Sequence, residues 1–430
     1  MRPVLLILPL LLLLSACAGL DSRGDTLDRI AADYVRMQLE AGEREAGYID
    51  AYYGPSEWQA AAKAAPRSPA ALTVAAAALA SRARAIEPAR LDPMERRRRD
   101  FLLAQLRAAE TRLRMMNGQK LSFADEAEGL FGVRPQLKPL STYDPVLARL
   151  ESLVPGPGPL AERVDAYQAR FTIPADRLRP VMDAAIAECR RRTLEHIALP
   201  PEERFTLEFV TGKSWSGYNW YKGQATSLIQ VNTDLPVRIG RAVDLGCHEG
   251  YPGHHVYNML LEQKLAEARG WVEYTVYPLY SPQSFIAEGS ANYGIDLAFP
   301  AQERLRFETG TLYPLAGLPP ADAPRYLALM EATEALAGAR FTIAADYLEG
   351  RIARARAVEL TQKYQLVSKA RAEQSVAFID QYRSYVINYG LGEEMVRTWV
   401  EAAGPSQEAR WRRMAQLLSE PTLPSDLARR

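Results

Sequence analysis

From Leu27 onward apolar residues recur at helical spacing through most of the chain, and that rhythm confines it to a mainly α architecture. Ile30, Tyr34, Met37 and Ala41 would share one helix face. Residues 60–86 are alanine-rich and strongly helix-prone. At Asp92-Pro93-Met94-Glu95 an aspartate can cap, the proline suits a first turn and the glutamate completes a capping box. That helix is expected to run to Met116 and stop near Asn117-Gly118. Helix is expected again over 174–197 and, after Pro236, for most of the remaining chain. Strand signals are convincing in only two stretches, 205–210 and 227–232. Pro155-Gly156-Pro157-Gly158-Pro159 is the sharpest break and separates an N-terminal helical region, 25–153, from a C-terminal region, 160–430. The chain shows no internal repeat and no low-complexity tract.

Lysine plus arginine equals aspartate plus glutamate, 52 each, so no net field favours nucleic acid as a partner. The basic run 96–99 sits between Glu95 and Asp100 just inside a helix start and reads as a solvated face. At the N-terminus Arg2 precedes an apolar run, 4–14, that contains Pro9 and is short for a membrane span, as in the core of an export signal. Leu14-Ser15-Ala16-Cys17 then resembles the lipobox of bacterial lipoprotein precursors. The resemblance implies removal of residues 1–16, a diacylglycerol on the Cys17 thiol, an acylated new amine and a short tether over 17–24. Each buried methylene adds about 0.8 kcal/mol, so several acyl chains give lasting attachment to the membrane. Ala18 is not aspartate, which by the same resemblance points to the periplasmic face of the outer membrane in a Gram-negative cell. Only Cys189 and Cys247 remain after Cys17, and an oxidising envelope would permit a disulfide between them. For Cys247 itself, a buried thiol is preferred to a nucleophile, since no base with an orienting partner is visible.

Three of the 4 histidines fall in His248-Glu249-Gly250-Tyr251-Pro252-Gly253-His254-His255. Histidine is the commonest neutral ligand for zinc, and a glutamate beside the first ligand can take a proton from metal-activated water. The simple spacing, histidines at i and i+4 on one helix face, fails because position 252 is proline. On an unbroken helix His254 is about 600° round from His248, while His255 shares its face but lies roughly 10 Å along the axis. Two nitrogens on one ion require about 2.0–2.1 Å each, so a straight helix cannot work. Pro252 and Gly253 are the residues that break one. If the distortion absorbs two residues, His254 becomes the second ligand; if three, His255 does. His254 is preferred.

The same string resembles the signature of the DUF885 family, placed with the zincin-like metallopeptidases. The family's downstream Glu-Gly-Trp-Ala-like element is similar to Glu288-Gly289-Ser290-Ala291-Asn292-Tyr293, with serine where tryptophan is usual. By that resemblance Glu288 is the third ligand of a single zinc ion. The family's C-terminal arginine-and-tyrosine segment resembles Arg383-Ser384-Tyr385 and Asn388-Tyr389-Gly390 more loosely. Arg383, Tyr385 and Tyr389 would then stabilise an oxyanion. The resemblance implies a zincin-like multi-helix architecture with a small β-ribbon or edge strand before the metal helix, and 227–232 is the expected edge. Trp271, Tyr274, Tyr277 and Tyr280 are candidates for a cleft lining or for core.

The expected function is a zinc-dependent hydrolase of a peptide or small amide, tethered to the bacterial envelope, with Glu249 as general base. The rival is a non-catalytic envelope lipoprotein, a binding or assembly factor that keeps the shell without a working site. A third possibility is hydrolysis of a non-peptide amide or ester.

Overall fold

A computed structural model describes residues 26–428, so Cys17 and the export signal lie outside the described residues. The fold is mainly α, as the periodicity requires. The helix Pro93–Met116 forms as read: Asp92 accepts from the Glu95 backbone at 2.8 Å and Glu95 returns the bond to the Asp92 N–H at 2.9 Å. It packs with the helices Leu27–Gly42 and Pro69–Ala85 as an N-terminal layer. Among the described residues no helix is long and apolar enough to cross a membrane.

Several expectations need correction. The alanine-rich stretch is two helices, Ser56–Ala64 and Pro69–Ala85, because Pro66 interrupts it and Ser68 caps a new start. The helix expected over 174–197 begins as a tight turn, Ala175–Arg177, and continues as Leu178–Leu194. The run 96–99 is no solvated face. Arg98 is 3% exposed and holds Glu273 through two bonds of 2.6 and 3.0 Å and Asp28 through one of 2.6 Å. Arg97 reaches Glu420. Two cations of this run therefore join distant parts of the chain.

Among the described residues five short strands occur: β1 (Ile49–Tyr52), β2 (Arg204–Val210), β3 (Gly217–Gly223), β4 (Thr226–Asn232) and β5 (Val276–Pro278). β1 pairs antiparallel with β5, and the other three form a sheet in the order β2-β4-β3. β2 runs parallel to β4, and β3 antiparallel to it. The strand expected as an open edge, 227–232, is therefore the central one. Both of its sides are occupied, and β3 is the edge. The helix Pro282–Ala298 is buried along nearly its whole length, which suits its apolar circumference, and packs against the helix Ile387–Glu401. These two helices and β3 surround the site.

Candidate metal centre

The chain approaches the site as a helix, Gly240–Leu245, that widens into a π turn, Gly246–Gly250, and then breaks. Across the break the Tyr251-Pro252 bond is cis, and a new helix, His254–Leu261, starts immediately. Gly253 makes the break possible. A Cβ there would collide with the His248 carbonyl, so no other residue type fits this close approach. The distortion absorbs two residues and not three. His248 and His254 face each other with their Nε2 atoms 3.1 Å apart.

Glu288, on the buried helix, completes the convergence. Its Oε2 lies 3.2 Å from His248 Nε2 and 3.6 Å from His254 Nε2. Two ligand atoms on a tetrahedral zinc, each about 2.0–2.1 Å from it, stand roughly 3.3–3.4 Å apart, so the three separations bracket the required value. Oε2 is buried and has no hydrogen-bond partner, whereas Oε1 accepts from the Tyr385 hydroxyl at 2.8 Å. A buried carboxylate oxygen left without a donor is costly, and a cation at the meeting point would satisfy it. The donor set of two imidazoles and one carboxylate fits zinc. Burial alone would raise the Glu288 pKa, but the two imidazoles outweigh it and hold the carboxyl well below the usual range. His254 is pulled down by burial, yet the carboxylates of Glu288, Glu249 and Asp50 push it up to about 9. The centre therefore attracts positive charge.

Support for the candidate ligands is specific. Asn292 donates its amide to the Tyr389 carbonyl at 3.0 Å, which leaves its Oδ1 as an acceptor 2.8 Å from His248 Nδ1. His248 must then carry its proton on Nδ1, and the Nε2 lone pair points to the centre. Glu249 is 4% exposed, and its carboxylate lies within 4.8 Å of both imidazole ligand atoms. Its backbone carbonyl accepts from Asn219 on β3 at 2.6 Å. Opposite its carboxylate β3 has Gly217, where a Cβ would stand 2.6 Å from Oε1. Burial raises the Glu249 pKa, with the imidazoles opposing and Glu288 adding to the rise.

No family model matches the chain, and no curated protein matches it. The solved structures that resemble it include two lipoprotein candidates. A candidate lipoprotein of Colwellia psychrerythraea superposes with a TM-score of 0.51 at 14% identity, over 84% of this chain and 68% of that one. A candidate lipoprotein of unknown function from Shewanella oneidensis gives 0.44 at 12% identity, over 93% and 80%. The first likeness establishes a shared fold.

The remaining sequence candidates divide. Tyr385 and Tyr389 line the same cavity of about 380 Å³ as His248, Glu249, His254 and Glu288. Arg383 does not line it. Its Nε is bound to the buried Glu126 at 2.8 Å, so the oxyanion role assigned to it is withdrawn. His255 is no ligand alternative either. Its Nδ1 lies 2.8 Å from Ser227 Oγ and its Nε2 3.1 Å from Glu203, away from the centre. Tyr277 lines the cavity, while Trp271, Tyr274 and Tyr280 are core. Cys247 is not a free thiol but is bonded to Cys189, tying the helix Leu178–Leu194 to the residue before His248. Sequence reading missed Asn292, although it lies four residues after Glu288 on one helix face and was detectable by that spacing. It also missed Asp50 and Tyr218, which meet in the cavity through a hydroxyl–carboxylate bond from chain positions far apart. No local signal marks that pair.

Proposed function

We propose that the chain is a zincin-like metal-dependent hydrolase of peptide or small amide substrates, held at the bacterial envelope by a lipidated Cys17. The observation that carries the reading is the unpartnered, buried Glu288 Oε2 at the meeting point of two imidazole nitrogens. His248, His254 and Glu288 would hold one zinc ion. Such an ion supplies Lewis acidity toward a carbonyl and lowers the pKa of water.

Glu249 takes the proton from the attacking water and returns it to the leaving amine. Burial, which lifts its carboxyl above the ordinary value, brings its basicity closer to the working pH. Tyr385 donates to Glu288 and so orients a ligand, and its hydroxyl is committed there. Tyr389 lines the cavity with its ring stacked on His248 at 6.2 Å. The free edge of β3, at Gly217–Asn219, borders the cavity and suits an extended substrate backbone. Export is supported by the Cys189–Cys247 disulfide, which belongs to an oxidising compartment, and by the lipoprotein description of the Colwellia protein.

Replacing Glu249 with glutamine tests the reading. Metal content should stay near one ion per chain while peptide hydrolysis falls by about 10²–10⁴-fold. Undiminished hydrolysis removes Glu249 as base. Wild-type protein purified without chelators or a histidine tag and carrying no stoichiometric metal would favour a binding or assembly factor.

A further inference from the structure

The cavity is bipolar. Asp50, Glu249 and Glu288 supply negative charge around the centre, and three arginines, Arg241, Arg340 and Arg371, also line the walls. Arg241 is engaged by Asp244 at 3.1 Å and by Ser216 at 3.2 Å. Arg371 donates to the Pro236 carbonyl at 2.6 Å and makes no ion pair among the described residues. Arg340 is the exception. Among the described residues its guanidinium has neither a hydrogen bond nor an ion pair, and its Nε is buried without a partner.

Arg340 is held instead by ring faces. Its guanidinium carbon lies 5.1 Å from the Phe378 ring centre and 6.0 Å from that of Tyr389. Aromatic faces fix a guanidinium plane without consuming its N–H donors. The fork is therefore oriented and unspent. Arg340 is half-buried in the cavity wall with only its Nε fully enclosed; a cation so placed without an anion is unfavourable, and an incoming carboxylate, bound in bidentate fashion, lessens that penalty.

The location ties this charge to the reaction. Tyr389 is a neighbour of both groups, its ring centre 6.2 Å from that of His248 and 6.0 Å from the Arg340 guanidinium carbon. The guanidinium and His248 thus share one aromatic neighbour in the same cavity, a spacing on the scale of two or three extended residues, roughly 7–10 Å.

We infer that Arg340 is the specificity determinant of the cavity and binds a carboxylate of the substrate, so that the enzyme acts on short peptides two or three residues from a negative charge. This inference rests on the hydrolase reading for the word substrate, but the binding claim stands apart from it. The carboxylate is either the free C-terminus of a peptide or an acidic side chain; both are read by the same fork.

Calorimetric titration of protein stripped of metal tests the inference independently of turnover. Three probes suffice: N-acetyl-trialanine as the free acid, the same peptide as its C-terminal amide, and an amidated N-acetyl-Ala-Ala-Glu. The free acid should bind about tenfold more tightly than the amide, and Arg340→Met should reduce that ratio to below about twofold without weakening the amide. Equal tightening by the glutamate peptide assigns the fork to any nearby carboxylate; tightening by the free acid alone assigns it to the C-terminus. Thermal melting checks that Arg340→Met folds, and Arg340→Lys, which keeps charge without the fork, should recover only part of the preference. A wild-type protein indifferent to the carboxylates, or an Arg340→Met protein that keeps the preference, overturns the inference. Carboxylate preference without any hydrolysis by metal-loaded protein would overturn the hydrolase reading alone.

Discussion

His254 and His255 are neighbours in the chain and opposites in the fold. Both His255 nitrogens have partners, Ser227 Oγ and Glu203 Oε2, and Glu203 in turn accepts from Tyr251 and Arg190. That cluster is closed: the His255–Glu203 pair is spent on joining β4 and the turn before β2 to the second helix of the motif. Around His254 the cluster stays open, and Glu288 Oε2 is left without a hydrogen bond. Residue type is the same in the two places, and burial differs modestly, His255 being wholly buried and His254 keeping 12% of its side chain exposed. What separates a structural histidine from a metal ligand is whether the atoms around it are already satisfied.

Alanine at the two positions should break the molecule in different ways. His254→Ala removes a proposed ligand and is expected to lower metal affinity by more than the roughly 100-fold that loss of a mere supporting group costs, with little change in the melting of metal-free protein. His255→Ala leaves the buried Glu203 carboxylate short of a partner and should cost about 3–5 kcal/mol in denaturant unfolding. Any metal lost there should follow unfolding and not precede it. Equal stability loss in both variants would erase the distinction. A smaller effect sharpens the open side: Asn292→Ala frees the His248 tautomer and should weaken metal binding by about 10–100-fold, measured by competition with a chromogenic chelator.

The contrast also shows what a sequence can carry. Pro252 and Gly253 announce a break, and the arithmetic of helical turns narrows the second ligand to His254 or His255. Choosing between them depends on Glu203 and Ser227, 52 and 28 residues away, which no local pattern connects to His255. Arg98 and Arg383 were misplaced for the same reason. Each is a charge whose partner, Glu273 or Glu126, is brought in by tertiary packing. β3 escaped notice because Gly217-Tyr218-Asn219-Trp220 mixes aromatic and polar residues and buries Asn219 for its bond to Glu249. Helices with their own caps, such as Pro93–Met116, were legible because their determinants lie within four residues of each other.

The closed cluster makes one further and smaller claim, about acid. Burial would raise the Glu203 pKa, but donation from His255, Tyr251 and Arg190 outweighs it and brings the carboxyl down to about 2. An unfolded glutamate titrates near 4.3. A depressed native value means the stabilisation is fully present above that pH and is lost as pH falls toward 2. Melting of wild type and Glu203→Gln between pH 6 and pH 2 should therefore show a gap that is constant at the upper end and closes through the acid range. The gap should be only a few degrees, since about 1 kcal/mol shifts a chain this long by a few degrees at most. A gap that stays the same at pH 2 would mean that Glu203 contributes shape and not charge. His255 would then be held by packing, and its difference from His254 could not be ascribed to satisfied polar atoms.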